Sequence, residues 1–495
     1  MALLGRKWIG LGRVATWSRS ASSVPEMPKC DFQPQKYTGP DFMETMKLRQ
    51  DYLSPALLTY YKKHVMVNQG HMQWLYDVDD RRYLDLFGGI VTVSVGHCHP
   101  KVTAALHEQA RRLWHTTNIY LHPGIHEYGK KLADRMPGNL KVCYFTNSGS
   151  EANDVALKMA RIYTKAHDII SLRNGYHGAG TANLPVLSLS AWKPALPQAF
   201  GAHQTMNPDV YRGPWGGARC RDSPIQTQRE CNCGPDACEA NERYVNQLND
   251  VLLHSVPKRI AGFLAEPIQG VGGTVQFPKD FLKRSFDLVR ERGGLCIADE
   301  VQTGFGRLGS HYWGFEAAGV TPDIVTMAKG IANGFPMGAV VTTPEIASVY
   351  ENFLTFNTFG GNPLSCAVAS SVLDVIDEEN MQANCEDVGT YFLQRLASLR
   401  DEFEIVGDVR GKGLMIGVEF VEDKESRTPL DKQLMGAVWE ECKDLGVLFG
   451  KGGNFGNVST YTHMMLLLRF YFVSQTMMMI MMCYAMLPCL PQTQA

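Results

Sequence analysis

The sequence predicts an α/β protein: a large domain built on a mainly parallel sheet, with a smaller α+β domain after it. Three observations predict this. Between about residues 124 and 341, short apolar runs alternate with helical stretches, the pattern of strand–helix–strand units with crossovers. From about residue 345 the alternation gives way to helices and then to strand-like runs at 404–408 and 414–419. The 495 residues also exceed what one hydrophobic core normally serves.

Residues 1–27 read as a disordered mitochondrial transit peptide, which implies the matrix. They carry Arg6, Lys7, Arg13 and Arg19, with serines at 18, 20, 22 and 23 and no acid before Glu26. Trp8, Ile9, Leu11 and Val14 can share one apolar helix face. Residues 28–95 form a lead-in that contributes to the small domain. Within it, 70–77 and 82–86 read as antiparallel strands with a turn at Asp79-Asp80. Residues 96–344 make the large domain, opening with a helix over 101–113. Residues 345–457 make an incomplete C-terminal small domain.

Residues 458–495 are anomalous. No helical stripe or strand alternation organises them, and Met477, Met478, Met479, Met481 and Met482 cluster as a translated short repeat would. Arg469 and Ser474-Gln475-Thr476 interrupt the apolar text, so it is a poor membrane span. It reads as an alternative or misannotated terminal exon, with a tail anchor as the alternative.

Net charge is −2, which gives no electrostatic case for nucleic acid. The thirteen cysteines do not form a disulfide scaffold in a chain this long; Cys143, Cys296 and Cys366 sit in apolar runs as small core residues. Cys220, Cys231, Cys233 and Cys238 occupy a Pro/Gly/charge-rich insertion, residues 212–241, without a paired CxxC spacing. The first reading is a loop decorating an entrance, with metal binding the alternative, so no metal ion is assigned.

The chemistry sits at strand ends. Asp299 ends the run Gly294-Leu295-Cys296-Ile297-Ala298, and Lys329 ends Pro322-Asp323-Ile324-Val325-Thr326-Met327-Ala328. Open α/β sheets bind ligands at such ends. A carboxylate and a lysine delivered there suit pyridoxal phosphate (PLP). The lysine holds the aldehyde as a Schiff base, and the acid keeps the pyridine nitrogen protonated. Either piece alone is an ordinary cap or helix end. After the strand 142–145, Asn147-Ser148-Gly149-Ser150-Glu151 turns into a helix running to about residue 163. Such a turn offers free amides to an anion, or merely caps the helix. Tyr176, flanked by Gly175 and Gly178 after the run 168–172, can lie against a planar ring or simply pack in a turn. Glu266 ends another apolar strand.

Residues 299–307 together with 326–330 resemble the signature of the class III (subgroup II, omega-type) PLP-dependent aminotransferases. The resemblance implies the fold-type I architecture with a seven-stranded sheet. It also implies roles. Ser148, Gly149 and Ser150 hold the phosphate, and Tyr176 lies on the ring. Asp299 bonds the ring nitrogen. Gln302 is near the ring hydroxyl with Glu266 beside it. Lys329 carries the Schiff base and moves the proton. Thr358, in Phe356-Asn357-Thr358-Phe359-Gly360-Gly361-Asn362-Pro363, reaches the partner subunit's phosphate, so the active site lies at the interface of a homodimer or homotetramer. The stretches 89–100, 212–217 and 404–415 and the cysteine-bearing insertion point to a mitochondrial branch of the family. For that branch the resemblance implies L-alanine or other small amines as donors, including β-aminoisobutyrate and methylated arginines, and glyoxylate or pyruvate as acceptor.

Two departures matter. Val271 stands where ornithine- and GABA-type relatives carry a gating Glu. After the strand 446–449, the family supplies an arginine on a following strand, which binds the substrate α-carboxylate. Here the text leaves the pattern after Phe455, and the surroundings of Arg469 do not match. The competing readings are therefore an impaired isoform, binding PLP or partner subunits without turnover, and a lyase or aminomutase on the same fold.

Overall fold

The computed structural model describes residues 29–196, 200–234, 237–461 and 465. The transit-peptide reading and most of the 458–495 tail fall outside them. Seven strands form the central sheet: β1 (Val142–Thr146), β2 (Ile169–Leu172), β3 (Ala202–Thr205), β4 (Gly262–Ala265), β5 (Leu295–Asp299), β6 (Ile324–Met327) and β7 (Gly338–Thr342). Their order is β1-β7-β6-β5-β4-β2-β3. Only β7 runs antiparallel to its neighbours. This is the mainly parallel, seven-stranded sheet the resemblance implies.

Both sheet faces are covered, which is why the central strands β4, β5 and β6 read as largely apolar runs, unlike the edge strand β3 (Ala-His-Gln-Thr). Alternate side chains go to opposite faces. Ile297, Ile324 and Val340 pack with Ala152, Val155, Ala156 and Met159 of α1 (Gly149–Thr164). Ala298, Val325 and Val341 pack on the other face with Val368, Val372 and Ile376 from a helix that spans Pro363–Glu378. Farther along the sheet, α2 (Glu239–His254) and α3 (Phe281–Glu291) cover β2, β4 and β5 through Tyr244, Leu248, Phe281 and Phe286.

Because β7 is the single reversed strand, β1 still runs parallel to β6. The C-terminal ends of β1, β2, β4, β5 and β6 therefore open on one edge of the sheet. Ser148, Tyr176, Glu266, Asp299 and Lys329 all lie at or just beyond those ends.

Besides a two-stranded pair, Ile268–Gln269 with Val275–Gln276, two four-stranded sheets stand apart. Val406–Lys412, Met415–Phe420, Val458–Tyr461 and Gly450–Gly452 form one, entirely antiparallel. The strand Val458–Tyr461 thus lies at the start of the segment that sequence alone leaves unorganised. The other sheet joins Val67–His71, Trp74–Asp77 and Arg82–Asp85 to Val447–Leu448, the last pair parallel. The run expected as one strand over 70–77 is split by a tight turn, where Met72 adopts φ 49°. The helix expected over 101–113 spans Pro100–Ala110. Among the described residues, no helix is long and apolar enough to cross a membrane.

Candidate active site

At the strand-end edge lies a cavity of about 300 Å³. Ser148, Gly149, Ser150, Tyr176, Glu266, Asp299, Gln302 and Lys329 all line it. Thr358, the remaining residue singled out from sequence, does not. It sits on an exposed segment outside this cavity.

One end of the cavity is the start of α1. Ser148 caps that helix, its hydroxyl accepting from Glu151 N–H at 3.2 Å. Glu151 in turn accepts from the backbone N–H of Asn147 at 3.1 Å and from the Asn357 side chain at 2.7 Å. A first-turn amide has no intrahelical acceptor, and Gly149 and Ser150, the first two residues of α1, line the cavity. Gly178 passes so close that a Cβ there would lie 2.3 Å from Ser150 Oγ. The crossing leaves the hydroxyl over bare backbone, at a φ of 102°.

The other end is a buried polar chain. Asp299 Oδ2 accepts from Asn153 Nδ2 at 2.9 Å and from His177 Nδ1 at 2.7 Å. Asp299 Oδ1 accepts from Val301 N–H at 3.1 Å. Thr326 Oγ1 donates to Asn153 Oδ1 at 2.7 Å, which fixes the amide's orientation. Burial disfavours charge on His177, but the Asp299 and Glu266 carboxylates outweigh it and raise its pKa. The ring's Nε2 is buried without a hydrogen-bond partner. Sequence reasoning passed over Asn153 and His177. His177 stands next to Tyr176 in a glycine-flanked turn, and Asn153 lies one helical turn from Ser150; those adjacencies were the available signal.

Glu266 accepts from Tyr176 N–H at 3.1 Å and from Gly270 N–H at 2.8 Å. Burial, and to a lesser extent the Asp299 charge, push its pKa up to about 7. Burial likewise drives Lys329 down to about 8, with Arg307 contributing and the Glu266 and Asp299 carboxylates opposing. Lys329 also has φ 50°, a left-handed backbone that lysine rarely adopts. Its turn is held from outside: Ser94 Oγ donates to Gly330 O at 3.0 Å, and Asn333 bonds both Val95 N and Gly96 O. Strain of this kind persists where surrounding contacts over-determine the backbone, commonly at functional sites.

These features form a set that fits PLP. A helix start can take a phosphate. Val301 and Tyr176 offer walls for a planar ring, and Asp299 can face a pyridinium nitrogen. Lys329 offers an amine for the aldehyde.

A second, largely apolar cavity of about 860 Å³ adjoins the first and shares Thr92, Tyr176, Gln302 and Lys329 with it. Trp192, Val271, Trp439, Lys451 and Thr460 are among its walls. Past Val447–Leu448 the chain forms Gly450–Gly452, of which Lys451 and Gly452 line this cavity, and then Val458–Tyr461, of which only Thr460 does. The cations among its described lining residues are Lys329, Lys432 and Lys451, and no arginine is among them.

The family model for class-III aminotransferases matches residues 59–480. Alanine–glyoxylate aminotransferase 2, mitochondrial, of Homo sapiens is 55% identical over 448 residues, covering 90% of this chain and 87% of that protein. Alanine–glyoxylate aminotransferase 2 homolog 2, mitochondrial, of Arabidopsis thaliana is 45% identical, covering 91% and 92%. Among solved structures, a PLP-bound amine transaminase from an uncultivated Pseudomonas species superposes with a TM-score of 0.78 at 30% identity, covering 89% of this chain and 99% of that one. An Arthrobacter phospholyase in complex with phosphoethanolamine superposes with a TM-score of 0.80 at 29% identity, covering 90% and 100%.

Proposed function

The chain belongs to the class-III aminotransferases, which are PLP-dependent, and from that premise we propose that it moves an amino group from L-alanine to glyoxylate or pyruvate. β-Aminoisobutyrate and methylated arginines are further donors in this reading. The convergence of Lys329 and Asp299 on one cavity carries it, together with the 55% identity to the human mitochondrial enzyme. That kinship and the basic, acid-free N-terminus support a mitochondrial location, which we assign to the matrix.

Bound PLP supplies an aldehyde that takes up the amino group and a pyridine ring that accepts electrons from the substrate Cα. The chain's own residues do the rest. The Ser150 hydroxyl and the amides of Gly149 and Ser150 bind the phosphate, with Ser148 organising the helix start. Tyr176 holds the ring in plane. Asp299, fixed by Asn153 and His177, holds a proton at the ring nitrogen. Gln302 bonds the ring hydroxyl, and Glu266 fixes the Tyr176 turn from behind. Lys329 Nζ would hold the aldehyde and, once released as a free amine, would move a proton between the substrate Cα and the cofactor carbon that carried the aldehyde. Its lowered pKa makes roughly half of it free base at pH 8, against well under one part in a hundred at the ordinary value.

We also propose a homodimer or homotetramer in which Thr358 reaches a neighbouring subunit's phosphate. Exposed apolar side chains surround Thr358: Phe353, Leu354, Phe356 and Phe359. Phe359 packs 5.3 Å from His115, which extends the patch to Trp114, Ile119 and Leu121. Exposed apolar side chains gathered in two such segments are the mark of an interface.

Thr460 favours a second reading. Thr460 stands on one of the two strands that follow 446–449, where the resemblance leads one to expect the carboxylate-binding arginine, and the described lining of the outer cavity holds no guanidinium, which supports an isoform that binds PLP but turns over amino acids weakly. An absorbance titration of the purified chain, with Lys329→Ala alongside, separates the two. A lysine-dependent cofactor band that L-alanine removes and glyoxylate restores establishes transamination. A lysine-dependent band that no amino acid shifts selects the impaired isoform. Keto-acid-independent loss of phosphate from an amino-alcohol phosphate would mean a lyase instead.

A further inference from the structure

The insertion between β3 and α2 carries a side-chain cluster that the active site does not use. The sulfurs of Cys220, Cys231 and Cys233 all lie within 4.8 Å of one another. Cys220 Sγ is 3.5 Å from Cys233 Sγ, and Cys233 Sγ is 3.8 Å from Cys238 Sγ. Four thiolates around one zinc at about 2.3 Å each stand roughly 3.8 Å apart, by tetrahedral geometry. The Cys220–Cys233 and Cys233–Cys238 spacings are of that size, while Cys238 stands outside the group of three that lies within 4.8 Å.

Cys238 is the N-cap of α2, and residues 239–241 are that helix's first turn, where the dipole favours negative charge. The Cys238 side chain makes no capping hydrogen bond there, which leaves its sulfur available to an ion.

The segment also needs a fastener. Among the described residues between Thr205 and Glu239 there is no helix or strand. Yet the segment reaches the small antiparallel sheet: Arg221 pairs with buried Asp408 at 2.8 Å, and Arg212 pairs with Glu419.

We propose that Cys220, Cys231, Cys233 and Cys238 bind one zinc ion in a closed, four-sulfur structural site. The ion displaces the thiol protons and undergoes no redox change. It ties the irregular segment to the start of α2, and Arg221 and Arg212 carry that anchorage to the small sheet.

The test uses the full-length, PLP-loaded protein from zinc-supplemented cells, purified without chelator. Mass spectrometry of the metal content is expected to give about one zinc per chain. Replacing zinc with cobalt(II) in the unmutated protein is expected to give intense thiolate-to-cobalt charge transfer with tetrahedral d–d bands. Cys231→Ser is expected to lower the zinc content several-fold. The cobalt spectrum needs no variant, so a misfolded Cys231→Ser leaves the test intact. Zinc below about one ion per ten chains with all four thiols open to alkylation overturns the proposal. So does a Cys220–Cys233 disulfide in the purified protein, or a cobalt spectrum lacking sulfur charge transfer.

Discussion

Thr460→Arg is the perturbation that weighs most on how this chain handles substrate. Thr460 is 7% exposed and stands on the strand Val458–Tyr461 with Gly450 and Gly452 opposite. It borders the cavity of about 860 Å³, so a longer side chain has space ahead of it. A guanidinium there can grip a carboxylate with two parallel N–H···O bonds. A hydrogen bond to a charged group contributes about 1.5–3 kcal/mol, hence roughly 10- to 150-fold in kcat/KM. The gain is expected for L-alanine, which has a carboxylate, and not for ethylamine, which is the same donor without one. The assay is the ratio of the two kcat/KM values, with pyruvate or glyoxylate as acceptor. Thr460→Lys serves as a control and should recover less, because an ammonium cannot make the planar two-point contact. Equal gains for both donors, or none for either in a protein that retains its cofactor band, would refute the assignment of Thr460 to the carboxylate end of the site.

Three other outcomes follow from the geometry, and Lys329→Ala has been described above. Asp299→Asn, which keeps the shape but not the charge, should lower kcat on the order of 10²–10³-fold; a kcat within threefold of the unaltered protein removes Asp299 from the role. Rapid mixing of cofactor-free protein with PLP should show a capture rate that climbs with pH and levels off above about 8, since protonated Lys329 cannot attack and its pKa is lowered to about 8. A rate still climbing near the ordinary lysine pKa would show that burial does not tune the amine. Leu354→Asp, at the most exposed apolar position near Thr358, should shift the mass measured by light scattering toward monomer and take most of the activity with it; an active monomer contradicts the interfacial site.

The large sheet was legible where its strands are buried on both faces: Gly262–Ala265, Leu295–Asp299 and Ile324–Met327 read as largely apolar runs with a polar residue at or just past the end, whereas Ala202–Thr205, with His203 and Gln204 half-buried, does not. That punctuation is how Asp299, Glu266 and Lys329 stand out. The helix start at Ser148 was legible for a related reason: its small residues and Glu151 form a local capping pattern. Asn153 and His177 were hidden because their importance lies in a contact across 146 and 122 residues to Asp299, and no local pattern encodes that. The strand Val458–Tyr461 was missed for a different reason. Ladder pairing uses main-chain groups, so four residues with no recognisable alternation can still complete a sheet when neighbours on both sides offer them partners. The cysteine cluster was visible only as a spacing, and the spacing alone said little; the insertion's irregular path brings the sulfurs together.

The left-handed turn at Lys329 has a historical meaning. Glycine would occupy that backbone more comfortably, by about 1 kcal/mol. Under selection for folding alone the exchange to glycine runs downhill, and the resulting protein would be sturdier and inert. Keeping lysine there is a standing burden that only use can maintain. The position is therefore a gauge: in any descendant of this chain released from metabolic duty, residue 329 should be among the first of the site to be lost, ahead of the well-bonded Asn153 and Asp299.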